Sequence, residues 1–496
     1  MKKMNYAVSL IALAVAQAAT AGTAPYFTPL TASAVVGDAN DQNELQAPFI
    51  APEGLQFKNL NSLHEVETYV NQSVQRVPGL GSGASMFDML AYSNDGKHIF
   101  IPHETQVGAG VSRYDIENDV TELLFAGDLK GAEGDWSFDF GAFDPARITP
   151  NGTLWLAEEW SGMGRVVEIL DPMAEAPLNP QADMRGNWRV LTSIPRVSHE
   201  GIGFSKTEDN KTVYFVDEDN SGSIYKIVLN VPGDYVAGGQ VFVLKVDAFD
   251  GDAAERWDRA PNVGLTRTGH ATWVAITDEN GNDLPDVTNP FDNSETSHNR
   301  PGRVAADDVE GTPFGRPEDV EVGTLASGNE VLYFTATSEQ AVYSVEMLPG
   351  GDAIVREFAS EANTPKNAGF EPTTGRLNSP DNLAQDALGN IYIIEDAPNS
   401  SSTGGDTWFA RDLDNDGVAE SLDHFLSLRV RGSEATGMVF NPVKPTEFAI
   451  SVQHPASTDL DAVPGGFGDA VWEVRLKNNG LDKNFVKALK DTKKPN

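Results

Sequence analysis

The sequence predicts an all-β protein: a single β-propeller with long loop insertions. Three observations carry that expectation. The first is a returning unit of polar turn, short apolar strand, and acidic or amide residue at the strand's end. It appears as Asn94-Asp95-Gly96 before Ile99 to Glu104, Pro150-Asn151-Gly152 before Leu154 to Glu159, and Asp209-Asn210 before Val213 to Glu218. It returns as Gly328-Asn329 before Val331 to Thr337, Leu388-Gly389-Asn390 before Ile391 to Asp396, and Pro442 to Thr446 before Phe448 to His454. One doubled interval aside, the spacing is roughly 55 to 60 residues, too long for a solenoid repeat and suited to a four-stranded blade with generous loops. The second observation is composition: 46 Gly and 29 Pro supply turns between strands rich in aromatic and β-branched residues. The third is the lack of any long pattern of period 3.6 after the N-terminus. Six blades are expected. A seventh, around His270 to Asp278, is the alternative reading of the doubled interval between Glu218 and Thr337, the other being one long insertion.

In chain order, Met1 to Ala21 holds two lysines, an apolar stretch from Ala7 to Ala19, and the small-residue site Ala19-Thr20-Ala21. That is the layout of a secretory signal peptide cleaved after Ala21, and the apolar run is shorter than the ~20 residues of a membrane span. No twin-arginine pair is present, so general secretion of the unfolded chain is expected, with the protein periplasmic or secreted. Residues 22–78 lack the blade rhythm and read as an N-terminal extension packing on the propeller. Within it, Asp38 to Gln46 is a polar loop and Leu60 to Val74 a short helix or outer strand. The propeller is placed at residues 79–476. The tail, 477–496, has only Phe485, Val486 and Leu489 to bury and reads as a surface helix or frayed end.

Cysteine is absent, which removes disulfides, thiol nucleophiles, zinc–thiolate sites and iron–sulfur clusters. The 73 acidic residues against 36 basic ones give a net charge of −37, spread along the chain. Nucleic acid as a specific partner needs a basic footprint and is excluded on that ground. No later segment is apolar enough to anchor in a membrane, and a monomer is expected.

The sharpest local motif is Asp412, Asp414, Asp416 and Gly417, followed by Glu420 and Asp423. Oxygen donors at positions one, three and five, Gly at six and an acid at twelve match the spacing that wraps calcium. Asp278, Asn280, Asn282 and Asp286 form a weaker version. Strand-end acids come next: Glu104, Glu158, Glu159, Glu200, Glu218, Glu318, Glu339, Glu395 and Asp396. If several converge they must hold cations, since bare carboxylates repel. Arg316, two residues before Glu318, offers a planar fork that matches phosphate oxygens. His199 and His454 stand beside acids or amides and serve as ligands or as buried structural histidines. No Gly-x-Ser-x-Gly elbow, phosphate loop, His-Glu-x-x-His or dinucleotide fingerprint is present.

Taken in order, several short segments resemble the PhoX-type alkaline phosphatase family of secreted bacterial β-propellers. They are Thr149 to Glu159, Ser198-His199-Glu200, Arg316-Pro317-Glu318-Asp319 with Tyr333-Phe334-Thr335, Ser379 to Leu383, Glu434-Ala435-Thr436-Gly437, and Gln453-His454-Pro455. The resemblance implies a cluster of calcium and ferric ions, with Glu159, Glu200 and Glu318 as ligands and Glu158, Asp381 or Asn382 helping. Arg316 then holds the phosphoryl oxygens while a metal-bound hydroxide or oxo group attacks phosphorus. Where the family supplies a cysteine to iron before its paired glutamates, this chain has Ala157. The remaining oxygen donors suit Ca²⁺ better than iron. The expected function is that of a secreted, metal-dependent phosphoric-ester hydrolase acting on a phosphorylated small molecule. The alternatives are a calcium-dependent propeller lactonase or phosphotriesterase, and a non-catalytic calcium-stabilised binding propeller.

Overall fold

The computed structural model describes residues 25–38, 41–63, 87–176, 186–208, 210–292, 299–456 and 469–492. The signal peptide expected at Met1 to Ala21 lies outside the described residues, as does most of the segment Leu60 to Val74.

The described strands run as successive antiparallel meanders. The first is Ala91–Tyr92, His98–His103, Gly110–Asp115 and Val120–Ala126; the second is Phe143–Ile148, Leu154–Glu158, Val166–Ile169 and Trp188–Val190. Ile202–Phe204, Thr212–Val216, Ile224–Leu229 and Gly239–Val246 follow, then Pro317–Thr324, Glu330–Ala336, Ala341–Met347 and Ala353–Ser360. These two meanders fuse into one nine-stranded sheet, because Gly269–Ala275 pairs with both Gly239–Val246 and Ala353–Ser360. Pro380–Gln385, Ile391–Glu395, Asp406–Arg411 and Ser421–Leu428 come next, and Glu434–Phe440, Glu447–Gln453 and Ala470–Leu476 complete the series. First strands of neighbouring meanders pack on one another from Ile202–Phe204 through Pro317–Thr324 and Pro380–Gln385 to Glu434–Phe440, which packs in turn on Ala91–Tyr92, itself against Phe143–Ile148. The result is the closed, all-β propeller arrangement.

The apolar runs follow from this packing. In Leu154–Glu158, Trp155 and Ala157 enter one buried cluster while Leu154 and Leu156 enter another. A strand covered on both faces reads as a continuous apolar run, and each large side chain so buried contributes roughly 1.5–3 kcal/mol. Closure uses both ends of the chain: Leu55–Ser62 pairs antiparallel with Ala470–Leu476, from Leu55 opposite Leu476 to Ser62 opposite Ala470. That pairing covers an edge that would otherwise expose unpaired backbone groups. The segment between Val246 and Pro317 contributes the joining strand Gly269–Ala275 and a helix, Pro301–Asp308, with proline in its first turn. Lys483–Asp491 is also helical, capped by the Asp482 carboxylate, which accepts the N–H groups of Asn484 and Phe485. Phe485 stacks on Tyr26 at 3.9 Å. No described helix is long and apolar enough to cross a membrane.

Antiparallel order has a consequence for function. The start of every first strand, the end of every second strand, and the long connections between meanders all lie at one end of the ring.

Candidate metal centre

Two tiers of acids meet at that end. Asp88, Asp144, Glu200, Glu318, Asp381 and Glu434 stand at the starts of successive first strands, all buried. Glu104, Glu159, Glu218 and Asp396 stand just past the ends of second strands, with His454 in the corresponding place of the last meander. The backbone is bent to present them. Register shifts interrupt the first strands between Phe143 and Ala146, Pro317 and Val320, Pro380 and Leu383, and Thr436 and Val439. Such bulges re-aim side chains beside functional sites. Ala142, Arg316 and Ser379, each immediately before one of these bulged strands, have φ of 45°, 52° and 49°. Left-handed backbone at three non-glycine residues, two of them preceding proline, is strain held by the surrounding fold.

The carboxylates cluster tightly. Asp88, Glu104 and Asp144 bring one oxygen each within 4.8 Å of one another, and so do Glu200, Glu318 and Asp381. No hydrogen-bond donor reaches Asp144 Oδ1, Glu200 Oε2 or Asp381 Oδ1. Burial, followed by repulsion from neighbouring acids, holds the carboxyls of Glu104, Asp144, Glu159, Glu200 and Asp381 well above the usual range. Asp88 is pushed up to about 7, mainly by burial. Glu218 reaches about 8 through burial and Glu318, even with Arg316 beside it. Asp88 and Glu104 accept side-chain donors from Thr436, Gln453 and Trp160, whereas the open oxygens of Asp144, Glu200 and Asp381, buried among other acids, fit hard cations. Arg316 is the cation the chain itself supplies. Its Nε donates to Glu218 Oε1, Nη2 forms an ion pair with Glu318 Oε1 at 3.0 Å, and Nη1 lies 3.8 Å from Asp396 Oδ2.

The expected residues divide. Glu159, Glu200, Glu318 and Asp381 lie in the cluster, with Arg316 among them. Glu434 and His454 sit at its margin, Glu434 Oε1 2.8 Å from His454 Nε2. Three others, Glu158, Asn382 and Asp423, are placed differently from expectation, and His199 takes the structural of its two expected places. Glu158 is no open ligand: Arg165 Nε and Nη2 bind it at 2.8 and 2.6 Å, and the N–H groups of Gly141, Met163 and Arg165 occupy its remaining lone pairs. Asn382 Oδ1 accepts from the Thr436 hydroxyl and the Gly437 N–H, so its oxygen is also engaged. His199 is buried with Nε2 on the Pro195 carbonyl at 2.9 Å, and burial depresses it to about 3. Asp423 lies inside Ser421–Leu428 and is bound by Arg411 at 2.9 and 3.0 Å. In the loop ahead of that strand Glu420 joins Asp412 and Asp414, whereas Asp416 Oδ1 accepts the Val418 N–H. The loop leads into a strand where a calcium loop would lead into a helix, so the twelfth position turns away.

No local motif singles out Asp88 and Asp144. Their mark in the sequence is positional: each lies about one hairpin ahead of a strand-end acid, Asp88 before Glu104 and Asp144 before Glu159. Phe87 bridges His103 and Phe143 pairs with Glu158, so the next residue in each case faces the channel.

Fold and site together define a β-propeller whose channel mouth is a cage of carboxylates able to hold cations. The family model for alkaline phosphatase PhoX matches residues 158–456, and the chain belongs to this family of metal-dependent enzymes. Asp88, Glu104 and Asp144 precede the matched residues and are brought to the site by the fold. Among solved structures, PhoX of Pseudomonas fluorescens in complex with vanadate, a transition state analogue, is similar with a TM-score of 0.58 and 15% identity. That likeness covers 92% of this chain and 98% of that one. XC5397 from Xanthomonas campestris, a gluconolactonase, reaches a TM-score of only 0.38 at 12% identity, covering 92% and 99%, and carries no argument. No curated protein sequence matches this chain.

Proposed function

We propose that the protein is a secreted, metal-dependent phosphoric-ester hydrolase whose centre is built on calcium. The observation that carries this reading is the convergence of carboxylates from successive meanders around Arg316, in a chain of the PhoX family. Glu200, Glu318 and Asp381 would hold one cation and Asp88, Glu104 and Asp144 another, with Glu159 beside Glu104. Calcium is favoured because every available donor is oxygen. Ala157 is fully buried in an apolar cluster with Trp155 and Val197, and the chain has no cysteine to replace a thiolate. When bound, such cations neutralise the carboxylates, attract an anionic ester to an acidic protein, and lower the pKa of bound water.

Arg316 then grips the phosphoryl oxygens. Its guanidinium has five N–H donors, its side chain is 35% exposed, and the neighbouring acids do not use every donor. Charge that grows on those oxygens as the ester bond breaks strengthens these contacts, which is where catalytic advantage arises. The substrate is a phosphorylated small molecule, and the leader Met1 to Ala21 directs the protein to the periplasm or beyond.

The test is to purify the protein from Gly22, measure its metals by elemental analysis, and assay a chromogenic phosphomonoester with and without a calcium chelator. Calcium without iron and chelator-sensitive turnover are expected. Stoichiometric iron would refute the calcium assignment, and bound calcium without turnover would favour a binding propeller.

A further inference from the structure

Beneath the carboxylates, the residue following each of two site acids ties its strand to the next meander. Asp319, adjacent to Glu318, is buried; its Oδ2 accepts the Leu383 N–H at 3.0 Å, two residues past Asp381. Its Oδ1 pairs at 2.5 Å with Nη2 of Arg147, which belongs to the first strand that carries Asp144. Asn382, adjacent to Asp381, repeats the arrangement one meander on. Its Oδ1 accepts the Gly437 N–H in the strand that begins with Glu434, and the Thr436 hydroxyl lies between Asn382 Oδ1 and Asp88 Oδ1. The amide orientation follows from Gly437, since a peptide N–H can only donate. Gly437 permits this approach: at φ 61°, a Cβ there would meet the Asp88 carbonyl oxygen at 2.5 Å.

Neighbouring first strands belong to separate ladders, or to opposite edges of the fused sheet; backbone hydrogen bonds join two of the pairs, Ala146 N–H to the Met89 carbonyl at 3.0 Å and Gly201 N–H to the Glu318 carbonyl at 3.1 Å. No ladder pairs the strand of Glu318 with that of Asp381, or that of Asp381 with that of Glu434, and bulges loosen these three strands beside the acids. Across those two gaps the Asp319 and Asn382 side chains reach backbone N–H groups of the next strand at that level. Calcium needs its oxygens at about 2.3–2.6 Å, while the bare carboxylates push one another apart.

We propose that Asp319 and Asn382, with Arg147 as partner, are positioning residues that set the spacing of Asp144, Glu318, Asp381 and Glu434 and so the cation affinity of the centre. They do not touch the cation. The inference rests on the metal-dependence of the proposed function and not on which ester is cleaved. A buried ion pair that merely stabilises the fold is the competing account of Arg147 and Asp319.

Calcium isotherms on the chelator-stripped mature protein separate the two. Wild type, Asp319→Ala, Asp319→Asn, Asn382→Ala and Glu318→Gln are titrated by calorimetry, each at a temperature where circular dichroism shows it fully folded. Glu318→Gln identifies the share of the isotherm that belongs to the centre. Asp319→Ala and Asn382→Ala are expected to weaken that share about 10- to 100-fold, the range for outer partners of metal ligands. Asp319→Asn, which keeps an acceptor for Leu383, recovers most of the loss. Folded alanine variants that bind calcium within about twofold of wild type, with only their melting temperatures lowered, overturn the proposal. If Asp319→Ala does not fold, Asn382→Ala decides, because it leaves no buried charge unpaired. Altered isotherms in a protein without phosphatase turnover would sink the catalytic reading and leave this one standing. A wild type that binds no calcium defeats both.

Discussion

Arg316 Nη2 stands 3.0 Å from Glu318 Oε1, and the same guanidinium also reaches Glu218 and Asp396. One permanent cation is thus shared among acids from three meanders, too little charge to balance the cage and well placed to meet an anion entering it. Arg316→Ala is expected to lower kcat about 10²- to 10³-fold, as for other transition-state donors, with calcium content unchanged. Steady-state kinetics with metal analysis on the same sample checks both halves.

Glu318→Gln should change stability in opposite directions with and without calcium. Burial holds the Glu318 carboxyl above its usual range despite Arg316, so its charge is a burden when no cation is bound. In chelator the variant melts at or above wild type; in saturating calcium it melts below, because ligand-linked stability depends on affinity. Differential scanning calorimetry under the two conditions shows whether the curves cross.

Glu158→Gln should behave as a fold variant. Removing the carboxylate leaves Arg165 buried without its partner, at a cost of about 3–5 kcal/mol in urea unfolding. Calcium affinity of the protein that remains folded stays at the wild-type value. A lost cation with unchanged stability would return Glu158 to the ligand set.

Ala157→Cys should yield an inert thiol. The side chain at 157 faces the apolar cluster that includes Trp155, Val166 and Val197, where a thiol is shielded and its thiolate disfavoured. Ellman's reagent is expected to react only after denaturation, and iron content should not rise. Iron uptake by the native variant would mean that the position opens to the centre.

Asp307 should make stability depend on pH away from the site. Burial, with repulsion from Asp217, Asp308 and Asp252 only partly offset by Arg303, raises it from 3.8 to about 7. The folded state therefore holds a proton that the unfolded chain has lost, so this group's contribution falls as pH rises from about 4 to about 7. Asp307→Asn should match wild type near pH 4 and exceed it by about 1 kcal/mol above pH 7, a figure discounted for partial exposure. Urea unfolding across that range tests the sign.

Adjacent residues show how far the sequence could be read. Glu158 and Glu159 look equivalent on the page, as do Glu395 and Asp396. In each pair the first is locked into protein, Glu158 by Arg165 and Glu395 by Trp408 Nε1 and the Asn378 and Asp406 N–H groups. The second, past the strand's last pairing, reaches the centre. Strand alternation separates the two faces, but which face meets the channel depends on neighbours far away in the chain. The Asp412 loop departs from the calcium-loop pattern at its twelfth position for a related reason: spacing identifies a turn, whereas the element after the turn decides where Asp423 points.

What the sequence determined by itself was local in origin: the repeat, the polar turns, the apolar strands covered on both sides, and the acids at the ends of second strands. Turn chemistry and alternation act within a few residues and leave their mark in order along the chain. Tertiary structure alone set which carboxylates face one another, brought Asp88 and Asp144 into the cage, turned Glu158, Asn382 and Asp423 to structural work, and chose the structural role for His199. Repulsion, desolvation and cation binding depend on distances in space, and closure of the ring with its bulged first strands creates those distances.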